Sequence, residues 1–190
     1  MCNEFRSREP AGSWGEEFSQ LRLELSWEDG QVSNLEPRDS IRISDRAPVI
    51  RRTEGGGEIM MRPWAWKGPH GKPVFNFRSD GRSFAGSERV LIPADGFYEF
   101  TAPADPAQKR KDKWLFTMTG HRWFWIAGIV KQGAFTMLTT EPGPDMQPYH
   151  SRQVCVLAPD QALQWLDLTV PEGELLAPSP AGSLTVAKAA

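Results

Sequence analysis

Cysteine at position 2 is the residue whose placement most directly suggests chemistry. Methionine aminopeptidases act when the second residue is small, and cysteine is small enough, so removal of Met1 would leave Cys2 with a free α-amine beside its thiol. The amine then has a pKa of about 7.7 to 8.0 and the thiol one of about 8.5, so both are partly deprotonated nucleophiles near neutral pH. Such a 1,2-aminothiol reacts with aldehydes as a lone thiol cannot. The amine gives an imine, the thiolate closes on the imine carbon, and a five-membered thiazolidine results. The plain alternative is a cysteine that merely follows the initiator methionine.

Asn76, Glu99 and His150 stand in segments whose neighbours are mainly apolar or turn-forming. A carboxylate after Gly96-Phe97-Tyr98 on a half-buried strand can relay a proton, and histidine has the ordinary pKa best suited to acid and base work at neutral pH. Taken singly, Asn76 could close a turn, Glu99 could face solvent on an edge strand, and His150 could be a loop histidine. Trp64, Trp66, Phe77 and Phe100 beside Arg62, Lys67, Arg78 and Arg152 supply the flat rings and cations that bind single-stranded nucleic acid. With eight Trp and ten Phe in the chain, most rings must form core, leaving one or two for a surface.

The elements that would hold these residues are mostly short strands. Gly15 to Trp27 mixes helical and alternating periods and is expected to be a helix. Residues 47–52 and 58–66 form a hairpin turned at Gly55-Gly56-Gly57, and 67–73 is a Gly- and Pro-rich loop. Strands are expected at 74–78, 89–93 and 97–100, then an exposed loop from Thr101 to Lys113. Residues 114–118, 123–130 and 134–140 suggest an antiparallel meander, 154–157 a buried strand, and Asp160 an N-cap for a helix over 161–166. The expected fold is α+β: a single domain over residues 1–190 with a central curled or closed, barrel-like and mostly antiparallel sheet flanked by a few short helices.

At 190 residues the chain can bury roughly two-thirds of its unfolded surface. A composition of 39% hydrophobic and 24% charged residues excludes disorder, collagen and disulfide scaffolds. No window approaches 18 apolar residues and the start lacks the build of a secretory signal, so no membrane partner and a cytoplasmic location are expected. Cys2, Cys155 and three scattered histidines have no zinc-ligand spacing, and neither a metal nor a cofactor is expected. The net charge of −2 is uneven: residues 38–89 carry +5 and the remainder −7. That basic stretch is modest for phosphate binding and is equally readable as solvated surface.

Met1-Cys2, Asn76-Phe77-Arg78-Ser79-Asp80, Ile92-Pro93-Ala94-Asp95-Gly96-Phe97-Tyr98-Glu99-Phe100, Leu138-Thr139-Thr140 and His150-Ser151-Arg152 together resemble the SOS response-associated peptidase family of abasic-site processing proteins. The resemblance implies that Cys2, exposed by loss of Met1, attacks the ring-opened aldehyde of an abasic site in single-stranded DNA and forms a thiazolidine crosslink that shields the lesion. It implies that Asn76 holds the Cys2 amine and the sugar, that Glu99 assists proton transfer, and that His150 promotes sugar opening. Arg78 and Arg152 would clamp phosphates, with Trp66, Phe100 and Thr139 completing the DNA-binding set, and the protein would act as a monomer. Many members open Met-Cys-Gly-Arg. Asn3 and Glu4 here remove a cation and add an anion where phosphate would approach. Two other readings stand beside this one: a thiol peptidase or autopeptidase with Cys2 as nucleophile, His150 as base and Glu99 as orienter, and a non-covalent single-stranded DNA-binding module.

Overall fold

A computed structural model describes residues 1–30, 35–105 and 107–189. In chain order the elements are β1 (Glu4–Ser7), α1 (Ala11–Gln20), β2 (Glu24–Trp27), β3 (Arg38–Arg42), β4 (Arg46–Thr53), β5 (Gly56–Pro63), β6 (Trp66–Lys67), β7 (Pro73–Val74), β8 (Asn76–Arg78) and β9 (Glu88–Ala94). There follow β10 (Gly96–Thr101), β11 (Asp112–Met118), β12 (Phe124–Lys131), β13 (Ala134–Thr140), β14 (Gln153–Val154), β15 (Val156–Leu157), α2 (Ala162–Asp167), α3 (Glu172–Leu175) and β16 (Leu184–Ala189).

The strands form two main sheets. One has five strands in the order β16-β11-β10-β1-β3, all antiparallel. The other follows β14-β13-β12-β9-β4-β5-β2, with β15 on β12 and β8 on β13, and is antiparallel except at β2–β5 and β8–β13. Both run from edge to edge, so the fold is α+β with curled, mostly antiparallel sheets and a few short helices. Among the described residues neither sheet closes on itself.

Side-chain alternation explains how the sheets pack. In β11, Trp114, Phe116 and Met118 point toward the second sheet and join Phe5, Ile41 and Phe97 from their own. From the larger sheet, Val49, Val90, Ile92, Phe124 and Ile126 meet them. The intervening Ile50, Leu91, Trp125 and Ala127 face the other way and are covered by Trp14 and Phe18 of α1 and Trp165 of α2. A sheet buried on both faces demands an unbroken apolar run, which is why residues 124–129 of β12 contain no polar side chain. Phe97 and Phe116 stack between neighbouring strands with centroids 5.2 Å apart. Truncating either to alanine is expected to cost about 3 to 5 kcal/mol.

Several sequence expectations are revised. The helix expected over Gly15 to Trp27 runs instead from Ala11 to Gln20, is followed by Arg22 at φ 58°, and yields to β2, where Leu25 and Trp27, with Leu23 just before the strand, pack against the core beside β5. Of the expected meander, β12 and β13 do pair, but β11 belongs to the other sheet. It also begins at Asp112, inside the expected loop. Asp160 is not a cap: the Gln161 carboxamide accepts from the Ala158 N–H at 2.9 Å, and a 3-10 turn precedes α2. The run through Ala94-Asp95-Gly96 is a crossing from one sheet to the other. There the Asp95 N–H donates to the Arg6 carbonyl at 3.0 Å, and its buried carboxylate holds Arg6 at 2.9 Å and Arg8 at 2.8 Å.

Candidate active site

Cys2 lies just before β1, a strand paired on both sides, with Glu4 opposite Tyr98 of β10 and opposite Arg42 of β3. That register brings the start of the chain to Glu99. Asn76 arrives from β8, which adds to the edge residues Met137 to Thr139 of β13 in parallel register. His150 follows a turn in which its N–H donates to the Met146 carbonyl at 3.1 Å. The four residues singled out in the sequence therefore converge from four separate segments.

Their contacts are specific. The Asn76 Nδ2 donates to the Cys2 carbonyl at 2.7 Å, and the Asn76 Oδ1 is buried without a partner among the described residues. The Cys2 thiol, only 1% exposed as a residue, donates to the Glu4 carbonyl at 3.3 Å. The Met1 ammonium lies 3.3 Å from Glu99 Oε2 and contacts His150 Nε2. On its other side the imidazole Nδ1 is 2.9 Å from the Arg152 N–H and 3.2 Å from the Arg152 carbonyl. Either tautomer is thus oriented by the Arg152 backbone.

Burial governs the charges here. Glu99 is pushed up to about 7 by desolvation, against which the nearby ammonium and the Cys2 N–H act in the opposite direction. Burial raises the Cys2 thiol strongly, and the Glu99 charge raises it further. His150 is lowered by burial and by the adjacent ammonium. A carboxyl that titrates near neutrality beside a histidine that favours its neutral form can both give and take protons. Among the described residues no three His, Cys, Asp or Glu side chains gather as metal ligands.

The residues expected to meet DNA are placed less uniformly. Arg78 is exposed on the same side of β8 as Asn76, and Phe100 is half-buried beside Glu99. Arg152 is largely buried, holding Asp80 at 2.6 Å and the Thr139 carbonyl at 2.7 Å, with its Nε unpartnered among the described residues. Thr139 is buried, and Trp66 packs on Phe77 within the core at 6.0 Å between centroids. Trp64 is also core, its indole donating to the Phe75 carbonyl at 2.8 Å. Sequence reasoning missed Lys113, whose ammonium is 2.7 Å from Glu4 and 3.9 Å from the centre of the Tyr98 ring. The anion at position 4 is therefore neutralised from within the protein. The Lys109-Arg110-Lys111-Asp112-Lys113 run was the available signal.

The architecture defines a two-sheet α+β class shared with solved structures. A protein from Bordetella bronchiseptica superposes with a TM-score of 0.70 at 20% identity over 100% of both chains. One from Bacteroides thetaiotaomicron gives 0.71 at 16% identity over 98% of this chain and 91% of its own. A phage-related protein from B. bronchiseptica gives 0.71 at 20% identity over 99% and 94%. These likenesses concern the fold. The family model described as SOS response associated peptidase (SRAP) matches residues 1–189, and the chain belongs to that family. It is also similar to the abasic site processing protein YoaM of Bacillus subtilis (strain 168), at 30% identity over 122 residues. That match takes in 57% of this chain and 53% of YoaM, so the chain spans about half the length of that relative.

Proposed function

We propose that this protein captures abasic sites in single-stranded DNA covalently, through Cys2 after removal of Met1, and so shields the lesion during the response to DNA damage. The observation that carries the reading is the convergence of Asn76, Glu99 and His150 on the first peptide of the chain. Family membership and the likeness to a protein named for abasic-site processing support it.

Cleavage of the Met1–Cys2 bond leaves the Cys2 α-nitrogen beside the Glu99 carboxyl, with the Cys2 carbonyl still held by Asn76. That nitrogen attacks the open-chain aldehyde carbon. Protonated Glu99 assists departure of the hydroxyl as water, giving the imine. The Cys2 sulfur then bonds to the same carbon, and the thiol proton passes through Glu99 to the nitrogen. The net change is two new bonds to the former carbonyl carbon and loss of one water. In this reading His150 takes the anomeric hydroxyl proton as the sugar ring opens, and Asn76 Oδ1, buried with no partner among the described residues, accepts a hydrogen bond from the sugar or the amine. A thiol kept protonated by burial suits this order, because it reacts after the imine has formed.

The test is a denaturing gel of the protein, shown by intact mass to begin at Cys2, mixed with an oligonucleotide carrying one abasic site. A shifted band absent from the intact-base control is expected. No band from correctly processed protein overturns the reading.

A further inference from the structure

Adjoining the Cys2 site is a cleft of about 740 Å³ bounded by β1, β3, β10, β11, β16 and the segment before β11. Its walls carry six cations, Arg42, Lys109, Arg110, Lys111, Lys113 and Lys188, against two carboxylates. Lys113 neutralises Glu4 at 2.7 Å and Lys188 neutralises Asp112 at 2.8 Å, leaving a surplus of four positive charges in a chain of net charge −2. Elsewhere eight arginines hold carboxylates, namely Arg6, Arg8, Arg38, Arg51, Arg52, Arg62, Arg122 and Arg152, while Arg46 and Arg89 bond backbone carbonyls. Among the described residues, Lys109, Arg110 and Lys111 are exposed and form no ion pair. The half-buried Phe100 ring lies in the same wall, 5.9 Å from the Lys113 ammonium.

We infer that this cleft is a track for the nucleic-acid backbone, holding the strand on one side of the captured lesion. Three features select this occupant. Unpaired cations in a concavity favour a polyanion over a single small acid. An aromatic ring among them offers a stacking surface for a base. The cleft also includes Glu4 of β1, two residues from Cys2, and Phe100, next to Glu99 in β10, so it opens at the end of the sheet that carries the site. The Glu4–Lys113 pair then removes the repulsion that an anion at position 4 would exert on a phosphate. This inference rests on the proposed DNA-capture reading and adds to it a direction for the strand.

The deciding experiment compares the protein with a triple variant, Lys109→Ser, Arg110→Ser and Lys111→Ser, in the exposed segment before β11, which contains none of the four converging residues. A charge-keeping triple, Lys109→Arg, Arg110→Lys and Lys111→Arg, serves as control. Binding of an intact-base single strand is followed across a salt series by fluorescence anisotropy. Crosslinking is then timed at low protein concentration with two oligonucleotides, one with the abasic site near its 5′ end and one with it near its 3′ end. If all three cations meet phosphates, the serine variant should lower the log–log salt slope by about 2, at about 0.7 per phosphate. It should slow crosslinking on one oligonucleotide only, while the control matches wild type. An unchanged slope, or equal slowing on both oligonucleotides, overturns the track. If wild type crosslinks neither oligonucleotide, the capture reading fails, and the salt slope still decides whether this cleft binds the strand.

Discussion

The two cysteines offer a controlled comparison within one molecule. Cys2 and Cys155 are each 1% exposed, and burial raises both thiols, Cys155 up to about 12. By exposure and sulfur titration alone they are near twins. Cys155 contacts the Ser79 hydroxyl at 3.8 Å and the Leu176 carbonyl at 3.9 Å, neither of which exchanges protons near neutral pH. Around Cys2 stand an amine, a carboxyl titrating at about 7 and an imidazole. The difference teaches that a buried sulfur becomes a candidate nucleophile through groups that can move its proton.

The sharpest way to break this comparison is to exchange the sulfurs' fates. Cys2→Ala should eliminate the covalent product on a denaturing gel, whereas Cys155→Ala should leave its yield unchanged. Glu99→Gln keeps the shape and removes the titrating group, and should slow product formation by about 100-fold, the lower end of general acid–base contributions, measured by quenched time courses. The same substitution has a stability signature. Folded Glu99 binds its proton more tightly than the unfolded chain does, so its contribution is greatest below pH 4.5 and declines as pH rises to about 7. Thermal midpoints measured between pH 4.5 and 8 should show that decline in wild type and a flatter profile in Glu99→Gln. Asn76→Ala removes one hydrogen bond to the Cys2 carbonyl, worth about 1 kcal/mol, and should slow capture by up to about tenfold. The smallest effect belongs to Cys155→Ala, a loss of about 1 kcal/mol of stability, or about 2 to 4 °C in Tm.

What the sequence disclosed follows the range of the interactions involved. The β4–β5 and β12–β13 hairpins were legible because short turns between apolar runs are local signals. Strands β1, β3 and β16 were not anticipated, since Glu4–Ser7, Arg38–Arg42 and Leu184–Ala189 become strands by pairing with distant partners. Ile92 to Phe100 gave the motif but concealed the change of sheet at Asp95, where only three-dimensional placement separates β9 from β10. Cys2, Asn76, Glu99 and His150 stood out as residue types, and their meeting depends on sheet registers that no spacing encodes. The basic cleft escaped notice because Thr101 to Lys113 was read as an exposed loop, and its cations acquire a common direction only once β1, β3 and β16 are in place.

Asp95 has a consequence for the motion of the chain's beginning. The first residues of most domains fray, and a reactive group there would sample many orientations. Here β1 is flanked by strands on both sides, and Arg6 and Arg8 are both tethered to one buried carboxylate at the sheet crossing. Backbone amides of β1 should therefore exchange with deuterium on the timescale of interior strands. The first residues of the chain are held here with the persistence of a core strand.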